Sequence, residues 1–270
     1  MKPLPKILLG LGLSLCLLST AIASERYALV VGNGDYEFSP LKNPTNDAFD
    51  MAVALRQVGF SVRHLENATR RELRKEIHNF SNDLSKDDVG LFYYSGHGVQ
   101  SNNENFLIPI GADIEAEYDI EDEAVGVRTV LGAMEASGSR LNIVVLDACR
   151  NNPFPSAFRS ASRGLSIVHA PTGTIVAFST APGQVAEDGT GRNSAYTKHL
   201  VAALKTPNLP IEQVFKQVRV EVGKDTGGAQ TPWEESSLMG DFYFAEEASE
   251  EPQQTASVSP SSTVTAASSD

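Results

Sequence analysis

Short runs of nearly uninterrupted apolar residues alternate along this chain with stretches whose apolar residues recur every three or four positions. The runs are Tyr27 to Val31, Val89 to Tyr94, Leu141 to Leu146 and Thr174 to Ser179. A strand that is apolar on both faces must be covered on both faces, so the pattern predicts an α/β sandwich with a mostly parallel central sheet. Between the runs, Asn43 is placed to cap a helix with Pro44 at its first position, Asp47 in its first turn and Gly59 just past its end. Phe60 to Leu65 alternates like a strand, and Thr69 caps a second helix carrying Leu73, Ile77, Phe80 and Leu84. Phe106 to Ile110 forms a short strand, Thr129 to Ala136 a helix, and Ser194 to Leu204 and Ile211 to Val222 two more, before Asp241 to Phe244 closes the domain.

The two ends fall outside that pattern. Lys2 and Lys6 precede an apolar run from Ile7 to Leu18, and Ala21-Ile-Ala23 is an A-x-A cleavage site, the layout of a secretory signal peptide over residues 1–23. Cys16 follows Leu15 where a lipid-anchor cysteine would follow a small residue. Residues 246–270 are dominated by Glu, Ser, Thr, Pro, Gln and Ala, too little apolar surface to fold. The folded domain is therefore expected over residues 24–245, periplasmic or secreted and not stably inserted in a membrane. The whole chain carries −12, and removing the leader's two lysines and the tail's five acids leaves −9 on the domain. With no basic tract to neutralise phosphates, nucleic acid is an unsuitable partner, and cationic substrates fit better.

Once the leader is gone Cys149 is the only cysteine, which excludes an internal disulfide and any zinc site built on several cysteines. A lone thiol in an oxidising compartment is either a small buried hydrophobe or a working residue. Its position favours work. Parallel sheets bind ligands beyond the carboxyl ends of their strands, and two strands end in reactive residues: Tyr94-Ser-Gly-His97-Gly98 and Leu146-Asp-Ala-Cys149. A cysteine nucleophile needs an imidazole to make or hold its thiolate. Glycines on both sides of His97 let the backbone turn and a substrate chain come close. The backbone N–H groups of Gly98 and Cys149 can then serve as an oxyanion hole. His64, His78, His169 and His199 read as structural or surface residues.

A strand ending in S-G-H-G, followed fifty-two residues from its histidine by the cysteine of D-A-C-R, resembles the caspase-type cysteine peptidases. The metacaspase and bacterial orthocaspase branch is the nearer match, because Asp147 stands two residues before the cysteine. The resemblance runs from about Arg26 to Phe244 and implies a caspase-like three-layer sandwich, with His97 as general base or acid and Cys149 as nucleophile. It also implies a pocket for the side chain before the cut, lined by Asp147, by Ser95, and by Asp47 in Leu41-Lys-Asn-Pro-Thr-Asn-Asp47, where Pro44 replaces the family's cysteine. Two carboxylates favour Arg or Lys through charge-assisted bonds. The structural alternatives are a helix first-turn acid for Asp47 and a loop-anchoring acid for Asp147.

The implied function is cysteine endopeptidase cleavage of proteins or peptides after Arg or Lys, through an acyl-enzyme and with no cofactor needed for the chemistry. Calcium is a further implication, since many metacaspases require it. The acids of residues 113–123 offer oxygen ligands, although they do not follow an EF-hand loop and their metal role stays open beside that of a solvated loop. Gly32-Asn-Gly34 lacks the third glycine of a phosphate-binding turn and reads as a plain loop. The long segment after Cys149 carries Arg159 and Arg163 as candidate self-cleavage points. Two other readings are a non-catalytic caspase-fold interaction module and a different thiol enzyme on a similar scaffold.

Overall fold

The computed structural model describes residues 24–149, 165–166, 168–182 and 191–247. Residues 1–23, almost all of residues 246–270, and the segment with Arg159 and Arg163 lie outside them. In chain order the elements are β1 (Arg26–Gly32), α1 (Pro44–Gln57), β2 (Ser61–Glu66), α2 (Arg70–Asp83), β3 (Val89–Ser101), β4 (Glu104–Leu107), a 3-10 turn (Glu117–Asp119), α3 (Ile120–Glu123), β5 (Val125–Gly126), α4 (Val127–Ser137), β6 (Leu141–Cys149), β7 (Thr174–Phe178), α5 (Ala195–Ala203), α6 (Ile211–Asp225) and β8 (Trp233–Ser236).

The main sheet runs β2-β1-β3-β6-β7-β8, parallel throughout except for the antiparallel β7–β8 pair at one edge. Alternation along each strand divides the core in two. Ala28, Val30, Leu91, Tyr93, Ile143 and Val145 face α1, α5 and α6, where they meet Met51, Leu55, Leu200, Val214 and Val218. Leu29, Val31, Phe92, Tyr94, Val144 and Leu146 face α2 and α4, where they meet Leu73, Ile77, Phe80, Val130 and Met134. Both faces of the central strands are therefore apolar, which is why their sequences show no polar interruption. Each such side chain contributes roughly 1.5–3 kcal/mol by leaving water. The result is the expected three-layer α/β sandwich.

Several local expectations hold in detail. Pro44 opens α1, Gly59 follows it at φ +87°, and Thr69 and Glu72 form a reciprocal capping box on α2. Others shift. Residues 95–101 continue β3 instead of ending it, because Gly98 to Ser101 pair antiparallel with β4 in a side arm. That arm has its own apolar centre of Tyr36, Val99, Phe106, Ile108 and Ile120. The acidic stretch 113–123 contains α3 and a 3-10 turn rather than being only a loop. The last sheet strand is β8, and residues 241–244, which follow it, make an isolated bridge from Tyr243 to Pro210. Trp-Glu-Glu-Ser carries no apolar alternation, so this edge strand was not readable from pattern.

Gly32 sets where α1 begins. A Cβ there would sit 2.2 Å from the Pro44 carbonyl oxygen. Only glycine lets the start of α1 press against the end of β1, and that contact carries Asp47 over the carboxyl ends of the central strands.

Candidate active site

The parallel ladder between β3 and β6 runs Ser95 to Asp147, Gly96 to Ala148 and His97 to Cys149, so the backbones of the two reactive residues lie side by side. Cys149 keeps its register with His97 to the end of β6. Gly98, one residue on, pairs with Leu107 of β4, while the Ile108 N–H donates to the His97 carbonyl at 3.0 Å. That hydrogen bond makes Gly98–Leu107 a non-hydrogen-bonded pair, so the Gly98 N–H points away from β4, to the flank where β6 ends.

His97 is 4 % exposed and held on several sides. Its Nε2 lies 2.7 Å from the Ser39 carbonyl oxygen, an acceptor, so Nε2 carries the hydrogen and Nδ1 is the basic nitrogen of the neutral ring. Its backbone N–H donates to the Tyr36 hydroxyl at 3.0 Å. The ring packs against Tyr36 at 4.4 Å and Phe38 at 5.7 Å between centroids. Gly96 is needed for this packing, because a Cβ would fall 2.7 Å from the Tyr36 hydroxyl oxygen and 2.8 Å from that of Tyr94. Ser39, Tyr36 and Phe38 were not singled out in the sequence. They belong to an irregular segment after β1, where no periodicity marks them.

Two residues back along the same strands lies an acidic centre. Ser95 and Asp147 are in register and share the α1 and α5 side of the sheet, and α1 delivers Asp47 to the same place. Asp47 is 0 % exposed and Asp147 6 %. The Ser95 hydroxyl donates to Asp47 Oδ2 at 3.1 Å, and the Ser194 backbone N–H donates to Asp47 Oδ1 at 3.0 Å. Asp147 Oδ2 accepts from the Ser194 hydroxyl and, at 2.8 Å, from Thr197 Oγ1. All three residues that the sequence assigned to the pocket are therefore brought together. Ser194 and Thr197 were missed. Ser194 is legible as the N-cap of α5, since its oxygen accepts from the Thr197 N–H at 2.9 Å, but capping says nothing of the two acids it also meets.

Burial, reinforced by the neighbouring Asp147 charge, raises the Asp47 pKa from 3.8 to about 8, against the smaller opposing effect of its hydrogen bonds. Near neutral pH the pair holds a proton. A carboxyl raised on folding binds a proton in the native state where the unfolded chain has lost it, so stability falls as pH rises from about 4 to about 8. The slope is about 1.4 kcal/mol per pH unit within that window. His64, lowered from 6.5 by burial, acts in the opposite sense below 6.5. Urea unfolding above about pH 7, where His64 no longer contributes, is expected to lose this slope in Asp47→Asn. An identical slope in the two proteins would contradict it.

The remaining histidines lie elsewhere: His78 bonds Asn82 at 3.1 Å, His199 bonds Asp225 at 3.0 Å, and His64 lies 3.5 Å from Glu66. The acids of 113–123 are partly engaged in local hydrogen bonds. Among the described residues no three His, Cys, Asp or Glu side chains converge as a metal-binding group. Asp119 Oδ2 instead accepts the backbone N–H groups of Glu115 and Ala116, and Glu117 accepts from Ser101. No helix among the described residues is long and apolar enough to cross a membrane.

Comparison with known proteins bears on this arrangement. Over 130 residues the chain is 34 % identical to the human (Homo sapiens) mucosa-associated lymphoid tissue lymphoma translocation protein 1, and 33 % identical to its homolog from Mus musculus. Each match covers 48 % of this chain and only 15 % of the relative. The crystal structure of protein GSU0716 from Geobacter sulfurreducens superposes with a TM-score of 0.59 at 16 % identity, over 83 % of this chain and 97 % of that one, a likeness of fold. The caspase domain family matches residues 25–243, a span that holds every element from β1 to β8. With its three-layer sandwich, and with a histidine and a cysteine in register at the carboxyl edge of the sheet, the chain belongs to the caspase domain family of peptidases.

Proposed function

We propose that the protein is a cysteine endopeptidase of the metacaspase and orthocaspase type, cleaving after Arg or Lys through a His97–Cys149 dyad. The observation that carries the reading is the β3–β6 register, which pairs His97 with Cys149 and, two residues back, Ser95 with Asp147 beside buried Asp47. One ladder thus supports both the reacting pair and the acids that would hold the substrate side chain.

In this mechanism the Cys149 sulfur, its proton taken by His97 Nδ1, attacks the carbonyl carbon of the scissile peptide. The Ser39 carbonyl fixes the tautomer that makes Nδ1 the base. The negative charge that develops on the carbonyl oxygen is assigned to the N–H groups of Gly98 and Cys149, which must leave the β3–β6 ladder to meet it, and one such donor is typically worth about 10²–10³ in rate. His97 then protonates the leaving amine, the C–N bond breaks, and a thioester remains on Cys149. His97 next takes a proton from water, whose oxygen attacks the thioester; the acid product leaves and the thiol is restored. The substrate cation enters the Asp47–Asp147 centre and displaces the proton held there. The leader-like residues 1–23 support export, and Arg159 or Arg163 would meet the same specificity in the enzyme's own chain.

A panel of short peptides differing only in the residue before the cut tests the reading. Hydrolysis is expected for Arg and Lys, with Asp and neutral residues at least about tenfold poorer, the equivalent of roughly 1.4 kcal/mol of lost pairing. Preferred cleavage after Asp, or no cleavage of any member, would refute it.

A further inference from the structure

The acidic centre is spanned by a residue that belongs to neither strand. Ser194 gives its backbone N–H to Asp47 and its hydroxyl to Asp147, so one residue bridges both carboxylates. Its own position is secured from outside. Arg192 binds Asp50 in two-pronged fashion, Nε to Oδ2 at 2.9 Å and an outer nitrogen to Oδ1 at 3.2 Å. The Asn193 amide binds Asp50 at 3.0 Å and reaches Asp47 as well. Asp50 lies one helical turn after Asp47 on α1, so the same face that supplies the pocket acid also grips the segment that bridges it. The Arg192 guanidinium further rests 5.9 Å from the Phe49 ring centroid. Residues 192–194 therefore form a clip: anchored at the surface by Asp50, and inserted between the two buried acids through Ser194.

From this clip we infer that Ser194 is a positioning residue for substrate specificity, holding Asp47 and Asp147 at the fixed spacing that a planar guanidinium needs. The inference rests on the reading that these acids receive the substrate cation, and it adds a preference within that class. A guanidinium offers donors in a rigid fork and gains most from two acceptors at set positions, whereas an ammonium is a compact point charge that adapts to acceptors that move. Loosening the clip thus penalises Arg more than Lys. A residue that merely capped α5 would affect both substrates alike.

The test uses the full chain with peptides matched except for Arg or Lys before the cut. Ser194→Ala is expected to lower kcat/KM for Arg by about tenfold or more, mainly through KM, and to lower the Arg-to-Lys ratio at least about threefold. Ser194→Thr keeps a hydroxyl and is expected to restore the ratio. The alkylation rate of Cys149 is expected to stay at the wild-type value. Should Ser194→Ala unfold from loss of the cap, Asp50→Asn and Arg192→Gln release the clip from its exposed side and are expected to move the ratio the same way by a smaller factor. An unchanged ratio in the folded variants, or an equal fall for Arg and Lys that Thr does not reverse, would overturn the inference while leaving the pocket intact. A wild-type enzyme without preference for basic residues would remove the pocket reading and this inference together.

Discussion

Cys149→Ala and His97→Ala are each expected to lower peptide hydrolysis by roughly 10³-fold or more, because in the proposed mechanism nucleophile and proton carrier act as one unit. Without the thiol no acyl-enzyme forms, and without imidazole the thiol is mostly protonated near neutrality and the leaving amine goes unprotonated. The double variant is expected to be scarcely worse than either single one, which is the signature of residues serving one step. Circular dichroism separates this from damage to the fold. His97 carries structural contacts to Tyr36, Phe38 and Ser39, so His97→Gln, which keeps a donor for the Ser39 carbonyl, is the safer partner variant. Near-normal turnover in a well-folded Cys149→Ala would refute Cys149 as the nucleophile, whereas a wild-type protein that cleaves no peptide would leave a caspase-fold interaction module as the better description.

The second large effect is expected at the pocket. In the proposed pocket Asp147→Asn removes a charge that would face the substrate cation in a buried site, and breaking such a pair typically costs about 2–5 kcal/mol. Specificity for Arg substrates is therefore expected to fall at least about tenfold, since each 1.4 kcal/mol is a factor of ten. Thiol alkylation is expected to be unaffected. Asp47→Asn is expected to act in the same direction but more weakly near neutral pH, because Asp47 must first give up its proton there. The gap between the two variants is expected to close as pH approaches about 8. An Asp147→Asn enzyme that keeps its full Arg preference in the matched-peptide assay would place the specificity elsewhere.

The elements of this fold were largely readable from neighbouring residues, and so were His97 and Cys149 as candidate reactive residues. Strands β1, β3, β6 and β7 announce themselves because a strand covered on both faces must be apolar at every position, and α2 because its buried Leu73, Ile77 and Phe80 recur at helical spacing. His97 and Cys149 stood out because each follows such a strand, and Asp47, Ser95 and Asp147 through the family resemblance. The short strand expected at Phe106 to Ile110 overlaps β4, but its pairing with residues 98–101 escaped notice because Gly-His-Gly reads as a turn, while its extended course is stabilised by Tyr36 and Ile108, residues from other segments. The edge strand β8 escaped because Glu234 and Glu235 sit where only one partner strand and no apolar cover is needed.

What the sequence determined by itself was the set of pieces: which stretches are strands or helices, which layers they make, and which residues carry reactive groups. Those properties reside in local pattern, where hydrophobic period, capping and turn chemistry act over a few residues. What only the tertiary structure decided was who meets whom. The register that sets Cys149 beside His97 follows from packing two whole strands, and the tautomer of His97 from a carbonyl fifty-eight residues away. Ser194 reaches Asp47 across 147 residues of chain. A hydrogen bond of a few ångströms between such distant positions leaves no periodic trace in either segment, because each keeps the pattern of its own helix or loop. The acid centre and its clip exist only where the sheet, α1 and the start of α5 are folded against one another.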